Sequence, residues 1–402
     1  MSIEIRPSAS SEEFQSALGS IGHYFGGWPD ADGAERFARL LPQDRMHAAF
    51  DKGQVIGGAG VFPFRLSVPG GELDCAGVTV VGVLPTHRRR GVLTSLMRDQ
   101  LDDVRRRGEP LAALWASESA IYRRYGYGLA SLAGSFELPK AYASLRPDAD
   151  PGLRVRLVPL EEALPLVQPV YDRVQQRTPG MFSRTDDWWK LRQLADPPDR
   201  REDGAQKNVA VLERGGQPVA YALYRVVTKW EDGENAGYVR VLEAVGDDGT
   251  EVELWRYLLG IDWIASYRGT IPTDSPLLHA AVYPNRLKLR LGDSLWLRLV
   301  DIGAALSGRS YGSGDPVVLE VEDSFLPENA GRWRLADGLA ERTEDEADLA
   351  LDVGELGSLY LGAFTATELV RAGLVRELRD GAAARADLVF RSERKPWCPE
   401  IF

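Results

Sequence analysis

At 402 residues the chain exceeds what one hydrophobic core supports, so two or three domains are expected. A formal net charge of −11 excludes a general nucleic-acid binder, which needs a basic face to neutralise phosphates, and leaves open a cationic substrate. Two cysteines, Cys75 and Cys398, are too few for a disulfide framework or a structural zinc site, so no metal is expected. The start Met-Ser-Ile-Glu-Ile-Arg lacks a signal-peptide pattern, and no run approaches about 18 apolar residues. A cytoplasmic protein without a membrane partner is therefore expected.

In chain order, Ile3 to Arg6 reads as a strand, and Ser10 followed by Glu12 and Glu13 reads as a helix cap with an acidic first turn. The aromatics of His23-Tyr-Phe-Gly-Gly-Trp28, with Phe37, suit a substrate pocket and a packed core equally. Val55 to Val68 and Glu72 to Leu84 read as two strands around the turn residues Pro69-Gly70-Gly71.

The second of these strands runs into the most informative stretch. Val78 to Val83 is apolar and β-branched, and Pro85 stops it because proline cannot donate to a ladder. Beyond Arg88-Arg89-Arg90-Gly91, the residues Val92, Leu93, Leu96, Met97, Leu101 and Val104 recur at helical spacing. Three arginines and a glycine thus occupy a strand-to-helix turn, where free backbone N–H groups carry partial positive charge and favour a pyrophosphate. Taken alone, three adjacent arginines fit a solvated basic turn as well. No nucleotide-triphosphate loop G-x-x-x-x-G-K-[ST] and no dinucleotide G-x-G-x-x-G after a strand is present.

Arg88-x-x-Gly91-x-Leu93 after Val81-Gly82-Val83 resembles the acetyl-CoA signature of GCN5-related N-acetyltransferases, with Leu93 where that pattern has a small residue. Pro85-Thr-His-Arg-Arg-Arg-Gly-x-Leu93, then Ala116-Ser-Glu-x-x-Ile-Tyr122 and Tyr125-Gly126, resemble the Eis family of amine acetyltransferases. So do Tyr221-Ala-Leu-Tyr-Arg225, Leu356-Gly-Ser-Leu-Tyr-Leu-Gly362 and the aromatic end Glu400-Ile-Phe402. The resemblance implies a mixed α+β protein: two acetyltransferase domains in tandem, the second degenerate, and a C-terminal sterol-carrier-protein-like domain. The boundaries expected are 1–147, 148–292 and 293–402.

The resemblance further implies acetyl-CoA as cosubstrate, held by Val81, Gly82, Val83, Arg88, Arg89, Arg90, Gly91, Val92, Leu93, Thr94, Ser117 and Glu118. It implies Tyr122 as general acid for the departing thiolate and the carboxylate at Phe402 as general base, with Tyr125 and Tyr127 packing residues; only the family pattern separates the three tyrosines. A primary amine of aminoglycoside, polyamine or lysine type is the implied acceptor, and a homo-hexamer the implied assembly. Ile401 stands where the family's pattern carries an acidic residue, which bears on aminoglycoside use.

Past the linker-like Arg146-Pro-Asp-Ala-Asp-Pro-Gly152, the pattern repeats: helical segments over 160–193, strands near 208–213, 218–229 and 236–245, then a helix from Val252. Its turn, Gly246-Asp247-Asp248-Gly249-Thr250, carries carboxylates where the first copy has arginines, so no cofactor is expected there. From Leu295 the pattern changes to strands at 296–300 and 316–321, with Thr365-Ala-Thr-Glu368 a capping box. Gly308-Arg-Ser310-Tyr-Gly312 matches G-x-S-x-G, but it follows a short helix and no histidine lies downstream, against a hydrolase. A non-catalytic lipid- or CoA-binding role is the remaining alternative.

Overall fold

The structure is a computed structural model and describes residues 3–27, 31–336 and 338–402; Trp28 of the aromatic stretch lies outside the described residues. The chain forms two units, the first comprising 1–131, 294–393 and 400–402, the second 132–293 and 394–399.

In the first unit, Glu4–Pro7, Met46–Asp51, Gln54–Val68, Gly71–Val83 and Leu111–Trp115 lie side by side in a seven-stranded sheet, completed by Leu295–Leu299 and Gly128–Leu129. The hairpin turns at Pro69-Gly70, where Gly70 takes φ +81° at no steric cost. Ser10 caps the helix Ser11–Phe25 by accepting from the Glu13 N–H. The helix Val92–Arg106 buries Val92, Leu96, Met97, Leu101 and Val104, the stripe its spacing predicts. Each such side chain contributes roughly 1.5–3 kcal/mol.

The sheets are not assembled in chain order. Leu132–Pro139, which sequence alone gives to the first copy, pairs with Ser266–Pro272 and Arg290–Asp293 in the second unit. Leu295–Leu299, read as opening the third domain, instead pairs antiparallel with Leu111–Trp115 over five residues in the first unit. Alternation makes a strand a strand, but neighbours decide which sheet it joins, and both segments are apolar enough to be buried in either.

The second sheet repeats the first. Leu153–Val158, Asn208–Arg214, Gln217–Val227, Tyr238–Gly246 and Ser266–Pro272 follow in the same spatial succession, ending on Leu132–Pro139 and Arg290–Asp293. In both sheets one parallel pair stands amid antiparallel ones. The C-terminal segment of the first unit adds a five-stranded sheet, Val317–Glu322 central, with helices that include Val353–Tyr360 and Ala366–Arg371; Thr365 and Glu368 form the expected capping box.

Candidate active site

The site is built where two parallel strands part. Gly71–Val83 pairs with Leu111–Trp115 only at Cys75–Leu111, Ala76–Ala112 and Gly77–Ala113. Beyond Gly77 the first strand continues to Val83, paired on its other side alone with Gln54–Val68. Its free edge over Thr79–Val83 can accept an extended ligand as a strand would.

A bulge re-aims that edge. Gly58 faces Gly82 and Gly60 faces Thr79, so two residues, Val80 and Val81, oppose Ala59 alone. Val80 takes φ +47°, a conformation a β-branched residue rarely adopts. The strand end is anchored by the Tyr24 hydroxyl, which donates to the Val83 carbonyl.

From Val83 the chain turns through Pro85–His87 and Arg88–Gly91 into the helix Val92–Arg106. Arg89 has φ +60° and Gly91 φ +81°, and no side chain caps the helix start. The first bond of the helix is Ser95 N–H to Gly91 C=O, which leaves the N–H groups of Val92, Leu93 and Thr94 without intrahelical partners. A Cβ added at Gly91 would meet nothing within 4 Å, so the turn is open to a ligand. Asp51 draws in His87 at 3.3 Å and Arg90 at 3.7 Å; Arg88 lies 5.9 Å over the Tyr24 ring. Arg88, Arg89 and Arg90 are all exposed, and Arg88 and Arg89 make no ion pair among the described residues. This donor set fits a pyrophosphate.

Ser117 and Glu118 are exposed just past the Leu111–Trp115 strand, before the one-turn helix Ser119–Tyr122. Tyr122 is buried among Ala76, Val78, Ala112 and Leu114, with Tyr127 edge-on at 6.1 Å. Burial, with Tyr125 adding to it, pushes its phenol up to about 12. Tyr125 and Tyr127 are buried in the same cluster, and Thr94 Oγ1 lies 3.4 Å from the Tyr125 hydroxyl.

Phe402 packs on the same strand from the opposite face. Its ring lies 5.1 Å from Phe64 and 6.4 Å from Phe62, and its Cε2 is 3.4 Å from where a Cβ at Gly77 would stand. Phe62 pairs with Gly77 and Val61 with Val78, so alternation sets Phe402 on one face of the strand and the cluster that holds Tyr122 on the other. Phe37 joins this aromatic set at 5.3 Å from Phe62. Phe62 and Phe64 were missed by motif reading; their signal is the alternating Phe-Pro-Phe on a strand. Ser310, by contrast, is an exposed residue whose N–H bonds Pro69, with no strand-to-helix elbow.

Residues 4–130 match the GNAT acetyltransferase domain family, 180–299 match a second acetyltransferase family of the same fold, and 302–399 match the sterol carrier protein domain. An N-acetyltransferase of Streptomyces coelicolor is 43% identical, covering 97% of this chain and 98% of that one. N-acetyltransferase Eis of Mycobacterium tuberculosis is 34% identical over 90% of both chains. The chain belongs to the Eis family of N-acetyltransferases. The crystal structure of Eis1 from Mycobacterium abscessus agrees in fold, with TM-score 0.86 at 33% identity, covering 99% of this chain and all of that one. As an Eis-family enzyme the chain carries two acetyltransferase domains and a sterol-carrier-like one, and an acyl-CoA cosubstrate goes with that activity. Among the described residues no helix is long and apolar enough to cross a membrane.

Proposed function

We propose that the enzyme transfers an acetyl group from acetyl-CoA directly to a primary amine of aminoglycoside, polyamine or lysine type. The observation that supports this reading is that Phe402 lies at Gly77, where the strand's ladder to Leu111–Trp115 ends, while Tyr122 belongs to the cluster with Ala76 and Val78 on the strand's other face.

The turn Arg88–Gly91 and the N–H groups of Val92, Leu93 and Thr94 hold the pyrophosphate, and Ser117 and Glu118 flank the entry. The edge at Val81, Gly82 and Val83 binds the pantetheine arm and donates an N–H to the thioester oxygen. The amine approaches on the Phe402 face, where the terminal carboxylate takes its proton. As the N–C bond forms and the C–S bond breaks, the Tyr122 hydroxyl gives its proton to the thiolate on the other face. A phenol with a raised pKa stays protonated at neutral pH, as a donor must. An α-carboxylate is an ordinary weak base near pKa 3.5, and apolar surroundings such as Phe62 and Phe64 are what would strengthen it.

The acting form is a cytoplasmic homo-hexamer in this reading. The test is mass spectrometry of kanamycin, spermidine and a lysine peptide incubated with enzyme and acetyl-CoA. An amine gaining one acetyl group per modified nitrogen is the expected result. Tight CoA binding with no acetylated amine would leave the non-catalytic CoA-binding alternative.

A further inference from the structure

A side chain from outside the sheet reaches the free edge at Val81–Val83. The Leu84 N–H donates to the Ile56 carbonyl at 2.8 Å, which makes that pair a hydrogen-bonded one. Pairs alternate along an antiparallel ladder, so the next one, Val83 with Gly57, is not hydrogen-bonded. The Val83 N–H and C=O therefore point away from Gln54–Val68, on the side where Leu111–Trp115 has parted. A ligand laid along this edge as a strand needs that carbonyl to accept one of its amide N–H groups. The Tyr24 hydroxyl already donates to it.

This reach follows from two glycines. Gly58 and Gly82 face each other on neighbouring strands, and the helix Ser11–Phe25 lies directly on both. A Cβ at Gly58 would stand 2.5 Å from the Ala17 carbonyl oxygen, and one at Gly82 would stand 2.9 Å from the Ile21 backbone. Tyr24 follows Ile21 by three residues, so it shares that face of the helix and meets the strand one residue beyond Gly82. It is 43% exposed, and exposed side chains change rotamer within picoseconds to nanoseconds. The Arg88 guanidinium lies 5.9 Å from its ring centre, within cation–π range. Tyr24 thus touches both parts of the cosubstrate site, the strand edge and the basic turn.

On the reading of Val81–Val83 as the edge that binds the pantetheine arm, we propose that Tyr24 is a displaceable stopper on that edge. Its hydroxyl holds the Val83 carbonyl while the site is empty and yields it to an amide N–H of the arm, as the pyrophosphate draws Arg88 off the ring. Tyr24 touches no reacting atom; it is a positioning residue that acts through Val83 and Arg88. The hydrogen bond the arm gains is offset by the one Tyr24 loses, so the edge holds acetyl-CoA and the product CoA less tightly than it otherwise would. The product accordingly departs faster.

The test is equilibrium titration of the full chain and of Tyr24→Phe with two ligands: CoA, and adenosine 3′-phosphate 5′-diphosphate, which keeps the pyrophosphate and lacks the arm. Tyr24→Phe removes the hydroxyl and leaves the ring beside Arg88. The variant should bind CoA about two- to tenfold tighter, with slower CoA dissociation, and bind the armless ligand as the wild type does. Weaker or unchanged CoA binding overturns the proposal. Equal tightening for both ligands also overturns it, because the change would then lie in the basic turn and not at the edge. A wild type that binds both ligands equally would remove the arm from this edge, and so sets failure of the underlying reading apart from failure of the stopper alone.

Discussion

Burial keeps Tyr122 in its protonated form, because a phenol pushed up to about 12 does not ionise in the range in which enzymes work. Tyr122→Phe removes the proton and keeps the packing against Tyr127 and Ala112. Turnover should fall about 10²- to 10⁴-fold while CoA affinity, read by equilibrium titration, changes little. A variant with wild-type turnover would remove Tyr122 from the mechanism. At the other end of the cosubstrate site, Arg89→Glu should weaken CoA binding about tenfold or more. The same reversal of sign at Asp248→Lys breaks ion pairs to Arg177 and Arg394 but should leave CoA affinity unchanged. Equal losses would mean that the two strand-to-helix turns had been assigned the wrong roles.

A third residue-scale device lies under the same helix. His47 is fully buried, with Nδ1 2.7 Å from Asp99 and Nε2 3.7 Å from Asp103, two carboxylates one turn apart on the helix Val92–Arg106. Burial pushes its pKa down, but the adjacent carboxylates of Asp103 and Asp99, the latter hydrogen-bonded to Nδ1, outweigh this and leave it above the ordinary value. A raised histidine pKa contributes stability that is complete below about pH 6.5, the unfolded value, and is lost as pH rises through the folded one. Denaturant melts from pH 6 upward should therefore show declining stability, and His47→Gln should flatten that decline. An unchanged slope in the variant would place the proton elsewhere.

At the scale of elements, the bulge and the borrowed strand matter most. Val80 in its left-handed conformation stores about 1–3 kcal/mol of strain, which the bulge holds in order to turn the Val81–Val83 edge. Val80→Gly should relieve part of it, so that stability stays level or rises while CoA affinity is retained. The Leu295–Leu299 strand carries Arg298, wholly buried and bound to Asp323 at 2.6 Å; Asp323 also accepts from Asn329 and from the N–H of Leu326. Asp323→Ala leaves that guanidinium without its counter-charge and should cost about 3–5 kcal/mol, measurable by urea denaturation.

These elements also mark where sequence was sufficient. The cap at Ser10, the Pro69-Gly70 turn, the basic turn and the Thr365 capping box were legible because each is a local preference of a few adjacent residues. The sheet membership of Leu132–Pro139 and Leu295–Leu299 was not, since both have the alternation of ordinary strands and nothing local names a partner. The bulge was hidden for a different reason: Val80 is a strong strand former, and only the opposing register imposes its conformation. Phe62, Phe64 and Phe402 meet across about 340 residues of chain, a contact that spacing cannot express.

For the whole molecule, the repeated sheets show how one fold is used twice with different chemistry at the same structural place. In the first unit the parting strands lead to an uncapped helix and exposed arginines. In the second they lead to a turn whose carboxylates, Asp247 and Asp248, are paired with Arg173 and Arg177. The C-terminal segment supplies the first unit with the last residues of the chain, Glu400 to Phe402, and Phe402 lies at Gly77.

The most direct test of this account is steady-state turnover of acetyl-CoA and an acetylated amine by the chain lacking Phe402, with CoA affinity measured in parallel. Turnover should fall at least about 100-fold with CoA affinity nearly unchanged, because the proposed base is lost and the basic turn is not. Turnover equal to that of the full chain would contradict it and leave the amine's proton to another acceptor.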